Sequence, residues 1–255
     1  MNKDHTREAQ EVMLEILKAF DGICKKYHLT YWLDHGTLLG AVRHQGFIPW
    51  DDDLDVTMPR EDYEEFLKVA SHELDEHYFL QTQQSDHCYL NFFPKIRDRH
   101  STFIDEWETK HQICYHQGIY IDIFPLNTIP KNKRYLYHFL VSLSKIFHNR
   151  FIKNISLTAF WVRMINKMHT MHGDYVVSGG ENMRYVIHVD KETIYPLSKV
   201  TFENHMFPAP RDYHNYLRSI FGDTYMQLPP LKLRKRHSAL IEPNQPCRYE
   251  KEHHV

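Results

Sequence analysis

Four carboxylates fall within five consecutive positions, Asp51-Asp52-Asp53-Leu54-Asp55, with apolar Trp50, Leu54 and Val56 around them. A solvated acidic loop is one reading of such a run, but it does not need those apolar neighbours. Acid and apolar residues alternate from Asp53 to Met58, which predicts a strand closed by Pro59. Side chains alternate across a strand, so Leu54 and Val56 would face a core while Asp51, Asp53 and Asp55 share the other face. Carboxylates held side by side repel unless one is protonated or a cation lies among them. Mg²⁺, or Mn²⁺ in its place, takes carboxylate oxygens together with waters and substrate phosphates. The run therefore demands a packed sheet with an acidic face and predicts metal-assisted phosphate chemistry, with Asp53 and Asp55 as the working pair and Trp50, Asp51 and Asp52 in support.

Other residues fit the same chemistry. Asp122 stands alone in the apolar run Ile119 to Phe124. A buried carboxylate is costly unless it is paired or binds metal, so Asp122 is either satisfied by an Arg or backbone donors, or is the third metal ligand with Asp53 and Asp55. Gly36-Thr37 precedes a short helical pattern, where free backbone N–H groups suit a phosphate. Lys95, Arg97 and Arg99 recur at every second position, so a strand would set them on one face, either solvated or neutralising phosphates. Arg43 is a further candidate for the anion.

The 255 residues suffice for one large core. The spacing predicts a first helix carrying Ala9, Val12, Met13, Ile16, Leu17, Phe20, Ile23, Cys24 and Tyr27, ending near His28. Strands are expected over 30–34, 78–83, 89–98, 102–105 and 120–124, the last ended by Pro125, and helices over 37–44, 60–73 and 211–221, with Gly222 stopping the last. Strands mix with helices without a regular βαβ alternation, so the class is α+β. Residues 245–255, with His253 and His254, are expected as a flexible tail. No two of the four cysteines form a C-x-x-C pair, so neither a zinc ribbon nor a disulfide framework is expected, and a reducing cytoplasm fits. The polar N-terminus has no signal-peptide pattern.

Charge is distributed unevenly. Between residues 131 and 170 there are eight Lys and Arg and no Asp or Glu, a +8 segment in a body of −10. It reads as two helices, one with Leu136, Phe139, Leu140, Leu143 and Phe147, the other with Leu157, Phe160, Trp161, Met164, Ile165 and Met168. Such a pair either covers a core or rests on anionic lipid as a peripheral contact at the inner face of a membrane. It contains no run long enough to span one, and no nucleic-acid recognition motif.

The stretch Tyr31-Trp32-Leu33-Asp34-His35-Gly36-Thr37-Leu38-Leu39-Gly40-Ala41-Val42-Arg43, then Gly46 to Val56, closely resembles the LicD family, which includes fukutin and fukutin-related protein. The likeness continues at Lys95-Ile96-Arg97-Asp98, at Tyr120 to Leu126, at 200–210 and at 222–230. It implies a single catalytic domain over 1–255 with the nucleotidyltransferase fold of DNA polymerase beta, a mixed sheet with flanking helices, and 131–172 as a basic helical insertion. It also implies metal binding by Asp53, Asp55 and Asp122 and donor phosphate at Gly36 and Thr37. His237, in a region resembling the family's C-terminal motif, joins Arg43, Lys95 and Arg97 as a donor-binding candidate. The implied activity is transfer of phosphocholine from CDP-choline to a teichoic acid, lipopolysaccharide or capsule glycan, lipid-linked in some cases. The same-fold alternatives are a CDP-ribitol or CDP-glycerol donor, or nucleotidyl transfer to a small molecule. The sequence departs from the family at His35, where many relatives have a small residue, and at Asn127, where an Asp often follows. The zinc-binding cysteines of fukutin-related protein have no match.

Overall fold

A computed structural model of the chain describes residues 5–111, 113–150, 155–181 and 187–249. The side chains of Lys145, Phe147 and Arg150, residue Lys153, and the tail beyond 249 with His253 and His254 lie outside the described residues. Helix α1 (Thr6–Tyr27) buries Ala9, Met13, Ile16, Leu17, Phe20, Ile23 and Cys24, the apolar stripe that its three- and four-residue spacing predicts. His28 ends it in the left-handed conformation at φ 55°. Strand β1 (Trp32–Leu33) and helix α2 (His35–His44) follow, then β2 (Asp55–Pro59), α3 (Arg60–Glu73), β3 (Tyr78–Gln81), β4 (Lys95–Asp98) and β5 (Thr102–Asp105). The central strand β6 runs from Tyr120 to Ile129.

The described residues form a mixed sheet in the order β1-β2-β6-β4-β3, within an α+β architecture. Only β2 and β6 pair in parallel, with Asp55 opposite Asp122. On its other edge β6 pairs first with β4, Lys95 opposite Asp122, and then with β7 (Tyr175–Ser178), which pairs in turn with β8 (His188–Asp190). Strand β6 thus passes through Pro125 instead of ending there. The Asp122 N–H turns to Leu54 on the β2 side and the Ile123 N–H to Pro94 on the other. By alternation, the N–H that Pro125 lacks would face the gap where β4 has ended and β7 has not begun, so no ladder bond is lost.

Helices α4 (Arg134–Arg150) and α5 (Ile155–Asn166) enclose a smaller apolar cluster of Ile129, Tyr137, Leu140, Val141, Ile165, Met168, Tyr175 and Val177. Of the apolar residues on the two expected helices, Leu136, Phe139, Leu157 and Phe160 are exposed and so do not cover this core. The helix is rolled so that Tyr137 and Val141 meet β6 and β7, with the Tyr137 hydroxyl donating to the Ser178 carbonyl at 3.0 Å. The short helix α6 (Lys191–Ile194) leads to the hairpin β9 (Ser198–Phe202) and β10 (His205–Ala209). Helix α7 (Tyr213–Phe221) is capped by Asp212, which accepts from the Asn215 N–H at 3.0 Å, and is stopped by Gly222 at φ 81°. Strand β11 (Ser238–Glu242) pairs with β5.

Cys88 and Cys114 form a disulfide with a Cα–Cα separation of 5.7 Å, against the expectation of unpaired thiols. The carboxylate of Asp86 draws their two loops together, accepting from the Gln81 amide at 2.9 Å and the His116 N–H at 3.0 Å. The cysteines therefore no longer argue for a reducing compartment. Among the described residues, no helix is long and apolar enough to cross a membrane.

Candidate active site

The register of three strands builds the floor of the site. Asp55 on β2, Asp122 on β6 and Lys95 on β4 sit opposite one another, so their side chains emerge side by side on one face of the sheet. All three are buried, and the Lys95 ammonium donates to Asp122. It also lies 3.4 Å from the centre of the Tyr120 ring. Burial pushes the Lys95 pKa down while Asp122 opposes the shift.

Asp51, Asp52 and Asp53 belong to the loop before β2, which begins only at Asp55. The predicted single strand face for Asp51, Asp53 and Asp55 is corrected accordingly: a loop, not strand alternation, brings the first two to the third. Loop geometry also separates the roles of neighbours. Asp52 is fully buried and turns to the C-terminal segment, accepting from the His237 N–H at 2.9 Å, the Ser238 N–H at 2.8 Å and the Ser238 hydroxyl. Asp51, Asp53 and His237 instead converge, offering two carboxylate oxygens and an imidazole nitrogen all within 4.8 Å of one another.

The electrostatics of the cluster are unfavourable as it stands. Burial and the charge of Asp53 raise the Asp51 carboxyl well above the usual range. Burial, Asp53 and Asp122 do the same to Asp55. Asp53 is raised by burial as well, with His237 pulling the other way and Asp122 adding to the rise. A set of hard oxygen donors that repel one another in a buried site is what a divalent cation relieves, so these residues fit such an ion.

The N-terminus of α2 closes one side. Asp34 caps it by accepting from the His35 N–H at 2.7 Å, and also accepts from Thr57 and from Tyr216 at 3.0 Å. Gly36 leaves room for Asp51: a Cβ there would lie 2.7 Å from its carboxylate oxygen, which would have to move aside. Gly40 answers a similar demand, its absent Cβ falling 2.5 Å from the Gly46 carbonyl. The Thr37 hydroxyl accepts from the Asp55 N–H at 2.8 Å, so it ties helix to strand. The Asp34 side chain takes the His35 N–H and the Asp34 carbonyl the Leu38 N–H, while the N–H groups of Gly36 and Thr37 fall in the first turn, where a helix supplies no backbone partner and an anion is suited.

Two expected anion ligands are occupied elsewhere. Arg97 is buried against Gln81 and the Gly118 carbonyl, at 2.6 Å each. Arg43 donates to the carbonyls of Tyr225 at 3.0 Å and Gln227 at 3.2 Å, fixing the segment after α7. Strand β4 ends at Asp98, which takes Arg99 out of the row to lie over Phe79. Arg234, which no periodicity marks, stacks 4.5 Å from the centre of Trp50 at the rim.

The two departures from the family pattern are also located. His35 is buried at φ 41°, edge-on to Phe124 with ring centres 5.9 Å apart. Asn127 accepts from Arg60 at 2.8 Å within a polar network behind the sheet.

The latch role of Asp52 predicts a stability effect. Asp52→Ala removes a fully buried carboxylate that accepts from two partly buried N–H groups and a hydroxyl, and should cost about 2–3 kcal/mol. Urea unfolding checks this; a loss below about 1 kcal/mol, no more than a single ordinary hydrogen bond contributes, would remove the latch from the account.

Comparison with known proteins agrees with this geometry. Residues 28–138 match the family described as LicD/FKTN/FKRP, nucleotidyltransferase domain. The chain is 31% identical to the lipopolysaccharide cholinephosphotransferase LicD of Haemophilus influenzae, over 93% of this chain and 97% of that protein. It is 30% identical to human ribitol 5-phosphate transferase FKRP over 29% of this chain and 18% of that protein. An uncharacterised protein of Rickettsia prowazekii is 48% identical over 20% of this chain and 19% of its own length. The match to the Haemophilus protein spans nearly all of both chains, and the chain belongs to the LicD family.

Proposed function

We propose that this chain is a metal-dependent phosphotransferase that moves phosphocholine from CDP-choline to a cell-surface glycan. The observation that carries this reading is the convergence of Asp51, Asp53, Asp55 and Asp122 beside Lys95 and the N-terminus of α2. The sheet is read as a nucleotidyltransferase fold of the DNA polymerase beta type, in a single catalytic domain with residues 131–172 as a helical insertion. The similarity to the Haemophilus enzyme supports choline phosphate and a lipopolysaccharide-type acceptor.

Asp53, Asp55 and Asp122 would hold Mg²⁺, with Asp51 and His237 within reach. When bound, the ion would neutralise charge on the donor phosphates. The chain's own groups do the rest. Backbone N–H groups at Gly36 and Thr37 bind donor phosphate. Lys95 adds positive charge on the sheet face and keeps Asp122 oriented. An acceptor hydroxyl oxygen attacks the phosphorus, the bond to the CMP oxygen breaks, and the hydroxyl proton passes to the Asp122 carboxylate. CMP leaves, and the glycan carries phosphocholine. A lipid-linked acceptor would be met at the inner face of a membrane, where the protein would act as a peripheral contact.

The test is CMP release from CDP-choline, CDP-ribitol and CDP-glycerol with Mg²⁺ and a glycan acceptor. CDP-choline should be the donor that yields CMP and a choline-bearing product. Release from CDP-ribitol alone would replace the donor with the one that the likeness to the human ribitol 5-phosphate transferase favours. Pyrophosphate from nucleoside triphosphates would sink the reading altogether.

A further inference from the structure

The rim of the acid site carries an apolar and basic edge that the transfer chemistry does not use. Between Asp223 and Glu242 the chain has no acid but has Lys232, Arg234, Lys235 and Arg236. Interleaved with them, Leu228 is 54% exposed, Leu231 77% and Leu233 60%. Exposed apolar side chains grouped among polar ones mark an interaction surface, and the segment that carries them is tethered on both sides. Arg43 pins the Tyr225 and Gln227 carbonyls, Pro229 and Pro230 stiffen the turn, and Arg234 donates to the Pro229 carbonyl at 2.9 Å while stacked on Trp50. Asp52 fixes the far end at His237. The exposed leucines therefore sit on a short 3-10 turn, Leu231–Leu233, tied down on both sides, with exposed Lys232 and Lys235 among them.

We propose that residues 228–235 are the edge by which the protein docks on an anionic lipid surface. Outward leucines enter the interface between headgroup and acyl chain, and lysines meet the negative headgroups. A protein partner or a second copy would not require the uninterrupted positive charge. Leu233 is four residues from His237, whose imidazole lies 3.7 Å from Asp53. Leu233 is therefore at most about 14 Å of extended chain from His237, the residue that reaches the acid cluster. Resting on the proposed function only for its purpose, this edge sets the site where a lipid-linked glycan emerges from the bilayer. The exposed Tyr135, Phe139 and Phe160 belong instead to helices α4 and α5, which cover a separate apolar cluster.

Co-flotation with vesicles containing phosphatidylglycerol tests it. The full chain should float with these and not with pure phosphatidylcholine, and the binding should weaken as salt rises. Leu231→Glu with Leu233→Glu should lower the partition coefficient at least about tenfold, with the melting temperature unchanged. A polarity-sensitive dye on Leu231→Cys should shift to the blue on anionic vesicles, the native free cysteines Cys24 and Cys247 being buried. Unchanged flotation of the leucine pair would overturn the proposal. So would loss of flotation only in Phe139→Glu with Phe160→Glu, equal binding to neutral vesicles, or a sedimentation result showing that the leucines hold a dimer. Flotation does not involve CMP release, so failure of the donor assay and failure of docking are separate results.

Discussion

Asp53→Asn should lower kcat for CMP release by about a thousandfold or more while making the metal-free protein melt higher at neutral pH. The catalytic loss follows from removing one negative ligand from a site that stabilises charge on a transferring phosphoryl group, where a single such interaction accounts for several kcal/mol. The gain in stability follows from the same charge. Burial raises the Asp53 carboxyl, with Asp122 adding to the rise. The folded chain then binds the Asp53 proton more tightly than the unfolded chain does. From the unfolded carboxylate value near 4 up to the raised folded value, the native state holds the extra proton, so stability falls as pH rises. Asparagine carries no charge at any pH. The variant's advantage in melting temperature should therefore be largest at neutral pH and shrink on acidification toward the unfolded value. Added Mg²⁺ should raise the wild-type melt more than the variant's. Paired calorimetry and CMP assays read both halves, and an active variant or one that melts lower would dissolve the acid cluster as the working site.

The contrast between Asp52 and Asp53 shows what a sequence can and cannot disclose here. Four acids among apolar residues announce a buried acidic site, because only packing or function explains that arrangement. They do not announce which acid turns which way. That depends on the loop ending at Asp55 rather than Asp53, and on a partner, His237-Ser238, nearly two hundred residues along the chain. The helical stripe of α1 was legible because its burial is local and periodic. On α4 the apolar residues wrap more of the circumference, so periodicity alone chose Leu136 and Phe139 where β6 and β7 select Tyr137 and Val141. Arg97 looked like a phosphate ligand by alternation with Lys95. It shares that face, yet Gln81 and the Gly118 carbonyl engage its guanidinium, and neither is near it in sequence. The Cys88–Cys114 bond was hidden for the same reason, since an acid in a third place, Asp86, brings the loops together.

The largest structural effect is expected behind the sheet, at Glu181. Arg60 opens α3 directly after β2 and sends both ends of its guanidinium to Glu181, at 2.8 and 2.7 Å, with both side chains about nine-tenths buried. Its Nε reaches Asn127 of β6 at 2.8 Å, and Asn166 at the end of α5 accepts from both Arg60 and Asn127. Burial alone would lower the Arg60 pKa, but the bonds and charge of Glu181 outweigh it and the net shift is upward. Glu181→Ala leaves a buried guanidinium without its counter-charge, which costs about 3–5 kcal/mol. The network joins α3, β6 and α5, so the loss should appear in urea unfolding as a lower midpoint. Asn127→Asp in the same background should recover part of that loss, because it returns a negative charge to within hydrogen-bond reach of Arg60. In the wild-type background the same change adds a second buried acid to an arginine already paired, and should destabilise instead. That reversal of sign, measured as a double-mutant cycle, separates an ion-pair network from simple packing. It also gives Asn127 a structural reason to be an amide here: with Glu181 present, Arg60 needs a neutral acceptor at this position and not another charge.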